Sequence, residues 1–228
     1  TVWKIVLFLP VFCPTIGAHL IMINFKKYNS FIFDFDGVIL DSNFIKKNAI
    51  AEAVQDVLSD QKADEFVNYF VGLNGIPREE KIAKYIPKEK YEYVLNKYES
   101  IIDIKLKNAN LISGVRSFIC TISRLKKGMI VLSGGTQSEV LQLLVDRGLS
   151  ENFDGVYGGP KNKEENLQGL LLDKPVLYFG DSEVDYLVSK NNGFDFVFVY
   201  GASNIIDWRS KMKEWRVIKS ISDFSNES

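Results

Sequence analysis

Two aspartates stand two positions apart directly after a short apolar run, at Asp34 and Asp36, and Gly37 follows them. The run 31–33 is typical of a buried strand that ends at this point. Two close carboxylates repel each other, and a divalent cation relieves that repulsion. Magnesium prefers one or two carboxylates together with phosphate oxygens and water. The pair therefore indicates a metal-assisted phosphate site, although a turn that uses Asp and Gly for backbone reasons has the same composition.

A hydroxyl and two glycines follow a second apolar run, 129–132. Ser133 and Gly134 come first, and Thr136 and Glu139 then have the spacing of a helix capping box. We therefore expect a helix to begin directly behind Ser133. The free N–H groups of a helix N-terminus and a hydroxyl can together bind a phosphate group. A capped helix after a glycine turn, with no ligand, is the alternative for the same residues.

Further acidic residues follow the apolar run 176–179, at Asp181 and Asp185. Asp181 stands at the expected end of a strand, where it could share a metal ion with Asp34. Ser182 and Asp185 could be no more than a cap pair at the start of a helix.

Two lysines, Lys161 and Lys163, lie in a polar segment between these groups. A lysine there can neutralise the charge of a phosphate group. Most lysines in a polar loop are solvated, so neither lysine identifies a site by itself.

The elements that must position these side chains alternate between strand and helix. Strands are predicted at 31–35, 129–132, 155–158, 176–179 and 194–200, and helices at 114–126, 137–147, 163–171 and 183–191. Residues 43–112 contain only helical patterns. The alternation predicts an α/β fold with a Rossmann-like parallel sheet, into which a helical unit is inserted. In such sheets ligands bind beyond the carboxyl ends of the strands, where the polar groups above are found.

Composition excludes several other classes of site. His19 is the only histidine, so a Ser-His-Asp triad would have to use His19. A metal site with several histidines cannot form. Cys13 and Cys120 match no metal or redox spacing, and a reducing compartment such as the cytoplasm is expected. With 28 basic and 29 acidic residues, the chain has no electrostatic signature of nucleic-acid binding. The class of site that the composition still allows is one of carboxylates with a metal ion that prefers oxygen ligands.

The first 21 residues are mostly apolar, but Pro10 and Pro14 interrupt them. A membrane-spanning helix needs about 20 apolar residues without such breaks. We expect 1–21 to lie outside the catalytic fold, with Met22 just ahead of the first strand. A membrane anchor or a signal peptide is the alternative.

Taken together and in this order, the polar groups resemble the haloacid dehalogenase superfamily. The motifs are Asp34-Phe35-Asp36-Gly37-Val38, Leu132-Ser133-Gly134-Gly135-Thr136, Lys163, and Gly180-Asp181 with Asp185. The run 34–42 is the most specific part, and the resemblance covers about residues 29–222. It implies a core formed by 22–42 and 113–228 and a helical cap at 43–112. Within the superfamily the chain is most similar to the phosphoglycolate phosphatase and β-phosphoglucomutase branch.

The resemblance implies a role for each acidic residue. Asp34 would be the nucleophile that forms an aspartyl-phosphate. Asp36 would protonate the leaving alcohol and then deprotonate the attacking water. Mg²⁺ would be held by the Asp34 side chain, the backbone carbonyl of Asp36 and Asp181.

The remaining groups would support the phosphoryl group. Ser133 and the N–H of Gly134 would bind phosphate oxygens, and Lys163 would stabilise charge on the phosphate and on the nucleophile. Lys163 is favoured over Lys161 because it opens the following helix, as the lysine of this superfamily usually does. Asp185 would orient the lysine or a metal-bound water.

The expected function is hydrolysis of a small phosphate monoester. An acid such as Asp36 suits phosphoryl chemistry, whereas dehalogenating members usually lack it. In the cap, Arg78 follows a segment that resembles a substrate loop and could reach a second anionic group, the alternative being an exposed first-turn arginine. A sugar phosphomutase and a catalytically silent binding protein are the competing functions. The sequence names neither the substrate nor the oligomeric state.

Overall fold

The computed structural model describes residues 24–205, 207–211 and 216–224. The predicted apolar segment 1–21 lies outside these residues. Among the described residues, no helix combines the length and the apolar character needed to cross a membrane.

The strands form one parallel sheet, as the alternating pattern predicts. The strands are β1 (Ser30–Phe33), β2 (Gly128–Thr136), β3 (Gly155–Gly159), β4 (Val176–Gly180), β5 (Asp195–Val199) and β6 (Arg216–Ile218). They lie in the order β3-β2-β1-β4-β5-β6. The α/β fold class is therefore confirmed, and β1 lies in the middle of the sheet with β2 and β4 on either side. All four residues of β1 are buried, which fits the apolar run of a strand covered on both faces.

Four successive helices follow β1 in the chain, before the next strand of the sheet. They are α1 (Asn43–Val54), α2 (Asp60–Gly72), α3 (Arg78–Tyr85) and α4 (Lys88–Lys107). Apolar and aromatic side chains pack between them, with the Phe70 ring 5.5 Å from that of Tyr98 and steeply inclined to it. The domain boundary at 43–112 stays a prediction.

The remaining helices cover the sheet. They are α5 (Val115–Arg124), α6 (Gln137–Asp146), α7 (Lys163–Leu167), α8 (Glu183–Asn191) and α9 (Trp208–Lys211). Beneath the site, the ring of Phe33 stacks on that of Phe179 with centroids 5.1 Å apart, and the edge of Phe118 meets both. This dense aromatic packing holds the ends of β1 and β4 in a fixed relation.

Three predicted boundaries are wrong. The strand predicted at 31–35 ends at Phe33, because the chain bends at Phe35 and turns at Gly37. The helix predicted at 163–171 ends at Leu167, because the chain becomes extended at Gln168 and Gly169 follows. The strand predicted at 129–132 continues to Thr136, since an irregularity in its pairing with β3 lets Thr136 pair again with Gly159.

Candidate active site

Three buried aspartates meet at the carboxyl ends of β1 and β4. Phe33 pairs with Phe179 in the sheet, so Asp34 and Asp181 follow at neighbouring strand ends. Asp185 comes from the first turn of α8. Oxygens of the three carboxylates lie within 4.8 Å of one another.

Burial and repulsion between neighbouring carboxylates make it costly to ionise Asp34 and Asp181. Burial raises the pKa of Asp34 to about 7. The Lys163 ammonium opposes this rise, and the charges of Asp185 and Asp36 add to it. Burial and the charges of Asp34 and Asp185 raise the pKa of Asp181 well above its ordinary range. A cation at this point would lower both pKa values.

Lys163 lies at the centre of this cluster. Its Nζ donates to Oδ1 of Asp34 at 2.7 Å and to Oδ1 of Asp185 at 2.5 Å, and the residue is 2% exposed. Asn162 caps α7 in a complete capping box, which fixes Lys163 as the first helical residue. Burial would lower the pKa of Lys163, but the two carboxylates outweigh it and raise the pKa. Lys161, the other candidate, is exposed.

Both carboxylate oxygens of Asp185 accept hydrogen bonds. Its Oδ1 accepts from Lys163 and, at 2.6 Å, from the hydroxyl of Tyr178. Its Oδ2 accepts from the backbone N–H and the hydroxyl of Ser182, which completes the capping box of α8. Asp185 therefore both caps α8 together with Ser182 and contacts Lys163 in the site. The two interpretations drawn from the sequence, a cap pair and a site residue, both apply to Asp185. Tyr178 was missed, although a tyrosine in the apolar strand β4 must place its hydroxyl near a partner.

Asp181 fits a cation ligand. Its Oδ1 is buried and has no hydrogen-bond partner within the described part of the chain. Its Oδ2 accepts from the side chain of Asn43 at 2.6 Å. A Cβ on Gly37 would come within 2.5 Å of Asp181 and Asn43, so only glycine, with φ 77°, fits the turn beside this carboxylate. A buried oxygen without a donor, among three carboxylates, matches the oxygen ligands that Mg²⁺ prefers.

The side chain of Asp36 points to other partners. Its Oδ1 accepts from Ser42 and its Oδ2 from the Lys46 ammonium of α1, each at 2.5 Å. Burial would raise the pKa of Asp36, but the Lys46 charge and both hydrogen bonds outweigh it, so the pKa lies below its ordinary value. The backbone carbonyl of Asp36 accepts no hydrogen bond from any described residue, which leaves it available as a ligand. The contacts of Ser42 and Lys46 were missed by the sequence analysis.

Ser133 and Gly134 lie in the irregular end of β2. Ser133 is fully buried and its Oγ accepts from the N–H of Gly135 at 2.9 Å. A Cβ on Gly134 would lie 2.7 Å from the carbonyl oxygen of Gly75, so glycine allows the α2–α3 loop to approach this strand end. The helix expected behind Ser133 is α6.

The predicted capping box of α6 is wrong. Thr136 occupies the cap position but makes no side-chain cap bond. Glu139 instead accepts from Arg78 at 2.7 Å, because a charged partner competes successfully with a neutral backbone N–H.

Arg78 is 4% exposed, so the alternative of an exposed first-turn arginine is wrong. Besides Glu139, its guanidinium lies 3.8 Å from Glu99 of α4. Burial would lower the pKa of Arg78, but Tyr98, Glu139 and Glu79 outweigh this effect and raise it. Arg78 thus joins α3 to α6 through a buried ion pair.

A cavity of ≈ 40 Å³ connects the strand ends to the helices. Its lining includes Asp34, Asp36, Gly134 and Gly135 from the strand ends, and Lys46, Phe70, Arg78, Lys81 and Tyr98 from the helices. A molecule bound at Asp34 would therefore be enclosed by α1–α4.

Solved structures share this fold. The chain is similar to a predicted phosphoglycolate phosphatase from Haemophilus somnus 129pt, with a TM-score of 0.70 and 17% identity over 88% of this chain and 97% of that one. A predicted phosphatase from Clostridium acetobutylicum gives a TM-score of 0.69, with 17% identity over 88% and 97% of the two chains. CbbY from Rhodobacter sphaeroides, solved in complex with phosphate, gives 0.64, with 16% identity over 86% and 95%.

No curated protein matches the sequence. The family model described as haloacid dehalogenase-like hydrolase matches residues 31–199, which span β1 to β5 and include every candidate residue above. The resemblance drawn from the motifs is thereby confirmed. The chain belongs to the haloacid dehalogenase-like hydrolases.

Proposed function

We propose that this hydrolase is a magnesium-dependent phosphatase that cleaves a small phosphate monoester through a phosphorylated Asp34. The observation that carries the proposal is the buried group formed by Asp34, Lys163 and Asp181. It combines a carboxylate that can attack, a cation that can balance phosphate charge, and a carboxylate oxygen that receives no hydrogen bond from the described residues. Bound Mg²⁺ would offset the charge of the phosphoryl group and of the carboxylates that hold it. Asp34, Asp181 and the carbonyl of Asp36 would hold the ion.

Asp34 supplies the nucleophile. A carboxylate oxygen of Asp34 attacks phosphorus, and the bond from phosphorus to the alcohol oxygen breaks. The carboxylate is ionised for this step because Lys163 donates to Oδ1, which leaves the other oxygen to react.

Asp36 acts as the general acid and then as the general base. It gives a proton to the departing alcohol oxygen and later takes one from the water that attacks the aspartyl-phosphate. Water attack releases phosphate and restores the Asp34 carboxylate. Ser42 and Lys46 hold Asp36 as an anion in this structure, so Asp36 leaves these contacts when it acts as an acid.

The remaining residues hold the phosphoryl group. We assign phosphate oxygens to Ser133 and to the N–H of Gly134. Lys163 balances negative charge, and Asp185 positions Lys163 through their 2.5 Å contact. Helices α1–α4 act as the cap that excludes bulk water during reaction. A role of Arg78 in binding substrate stays a prediction, as does a cytoplasmic location.

A test combines turnover with trapping of the intermediate. Purified protein is assayed for phosphate release from a panel of phosphate monoesters, with Mg²⁺ and with a chelator. Borohydride added during turnover reduces an aspartyl-phosphate, and mass spectrometry then finds homoserine at position 34. The matched control is Asp173→Asn, an exposed aspartate beside Ser30 and Gly128 at the opposite, starting ends of β1 and β2.

We expect Mg²⁺-dependent release and labelling that Asp34→Asn abolishes and Asp173→Asn retains. Full activity of Asp34→Asn in a clean preparation contradicts the proposal. Isomerisation of a sugar phosphate that needs a bisphosphate activator would assign the chain to the mutases instead.

A further inference from the structure

Asn43 is a buried amide that holds one oxygen of Asp181. The residue is 4% exposed and stands at the first position of α1. Its Nδ2 donates to Oδ2 of Asp181 at 2.6 Å, whereas Oδ1 of Asp181 accepts no hydrogen bond from residues in the described ranges. A carboxylate that is held by one of its oxygens keeps a defined orientation, so the position of its other oxygen is fixed as well.

The other contacts of Asn43 determine which end of its amide faces Asp181. The second N–H of Nδ2 donates to the backbone carbonyl of Ala202 at 2.7 Å. An ionised carboxylate and a carbonyl accept hydrogen bonds and donate none, so the NH₂ end of the amide must face both groups. Oδ1 of Asn43 accepts from Nδ2 of Asn74, in the loop before α3, at 3.3 Å. The side chain of Asn43 therefore cannot turn without losing a hydrogen bond.

The backbone of Asp181 is held by the same part of the chain. The hydroxyl of Ser203 donates to the backbone carbonyl of Asp181 at 2.5 Å, and Ser203 follows Ala202, the second acceptor of Asn43. On the other side, a Cβ on Gly37 would lie 2.5 Å from Nδ2 of Asn43. Close packing against this turn keeps the amide next to the carboxylate.

We propose that Asn43 is a positioning residue for the metal ion, which holds Oδ2 of Asp181 so that Oδ1 is presented to Mg²⁺. The assignment rests on the phosphatase function proposed above, because Asn43 has this role only if Asp181 binds a cation. Asn43 does not bind the ion itself, since its two N–H groups donate to Asp181 and Ala202 and its oxygen accepts from Asn74.

A purely structural role for Asn43 predicts a different result. An amide that only joined α1 to the segment after β5 would stabilise the fold, and its removal would lower the melting temperature without changing the affinity for Mg²⁺. A partner that orients a metal ligand typically changes the metal affinity by about 10- to 100-fold when it is replaced. The affinity of the folded protein for Mg²⁺ therefore separates the two roles.

The test is calorimetric titration of the purified full chain with Mg²⁺ alone. Asn43→Ala and Asn43→Ser both remove the amide donor to Asp181, and the serine variant keeps a polar group should the alanine variant fail to fold. Asn74→Ala is the matched control, because it removes a contact of Asn43 and leaves the one between Asn43 and Asp181. Asn48→Ala replaces an exposed asparagine of the same helix α1.

We expect the Kd for Mg²⁺ to rise about 10- to 100-fold in both Asn43 variants and to change less than about threefold in Asn74→Ala and Asn48→Ala. In assays of phosphate release, the Mg²⁺ concentration that gives half of the maximal rate should rise by the same factor in the Asn43 variants. Their kcat at saturating Mg²⁺ should fall much less than this factor, because an occupied site no longer depends on the affinity.

Each other result has a definite meaning. An unchanged Kd for Mg²⁺ in the Asn43 variants overturns the positioning role, and a lower Tm with that result assigns Asn43 to structure alone. The phosphatase function stands in that case as long as the wild type releases phosphate with Mg²⁺. Equal weakening in Asn74→Ala and Asn43→Ala would show that the contact with Asp181 is not the one that matters. If the wild type neither binds Mg²⁺ nor releases phosphate in its presence, the proposed function fails together with the positioning role.

Discussion

The ammonium of Lys163 lies 2.7 Å from Oδ1 of Asp34, although 129 residues separate the two in the chain. Their side chains are 1% and 4% exposed, so the pair is shielded from solvent. A buried ion pair stabilises only when both partners are present, because removal of one leaves an unpaired buried charge. This contact joins the end of β1 to the start of α7 and favours the ionised form of Asp34.

Lys163→Met should remove most of the activity, whereas Lys161→Met should remove little. The loss of a preorganised charge at the phosphoryl group is expected to cost about 10²- to 10³-fold in kcat. Steady-state phosphate release measures both variants, and circular dichroism checks that they fold. Equal losses from the two variants would show that proximity to Asp34 does not decide which lysine matters.

Asp181→Asn should abolish the response of the protein to Mg²⁺. The unpaired Oδ1 is the atom expected to meet the ion, so an amide nitrogen or a neutral oxygen there weakens binding. Wild-type Tm should rise on addition of Mg²⁺, since a ligand of the folded state stabilises it. In chelator, Asp181→Asn should melt higher than wild type, because it removes a carboxylate whose ionisation burial, Asp34 and Asp185 oppose in the folded state. An undiminished Mg²⁺ response of the variant, measured also by calorimetric titration, argues against a metal at this residue.

Lys46→Met should move the pH dependence of kcat/KM. The Lys46 ammonium lowers the pKa of Asp36, so its removal lets Asp36 keep a proton to higher pH. If Asp36 is the acid, the fall of kcat/KM with rising pH should move to higher pH. Lys47→Met, an exposed neighbour on α1, is the control and should leave the profile in place. An unmoved profile in Lys46→Met means that the group titrating there is not Asp36.

Lys81→Met should stabilise the protein at and below neutral pH. The folded pKa of Lys81 is about 7 against an ordinary 10.5, lowered by burial, Lys46 and Arg78 and only partly restored by Asp36 and Glu79. Between these values the unfolded chain binds more protons than the folded one, so wild-type stability rises with pH across that window. The advantage of the variant should be at most about 5 kcal/mol below pH 7, at ~1.4 kcal/mol per pKa unit.

Urea unfolding at pH 6 and pH 9 measures this difference. The stability of the two proteins should converge as the pH rises toward 10.5. A difference that does not depend on pH would show that packing, and not charge, explains the effect of the substitution.

The sheet, and the three strand ends where the acidic and hydroxyl groups lie, can be predicted from the sequence alone. Local patterns were enough for this, because an apolar run followed by Asp or Gly predicts both the strand and where it stops. Parallel strands then expose their carboxyl ends on one edge, which brings Asp34 and Asp181 together without knowledge of side-chain contacts.

The partners of the charged side chains depend on the tertiary structure and cannot be predicted from local patterns. Lys46 pairs with Asp36, and Glu139 pairs with Arg78 while Thr136 makes no side-chain cap bond in α6. Lys81 is buried and forms no ion pair with any carboxylate that the structure describes. These outcomes depend on how α1 and α3 lie over the strand ends. A charged residue looks the same in sequence whether it is solvated or buried, because burial depends on segments far away in the chain.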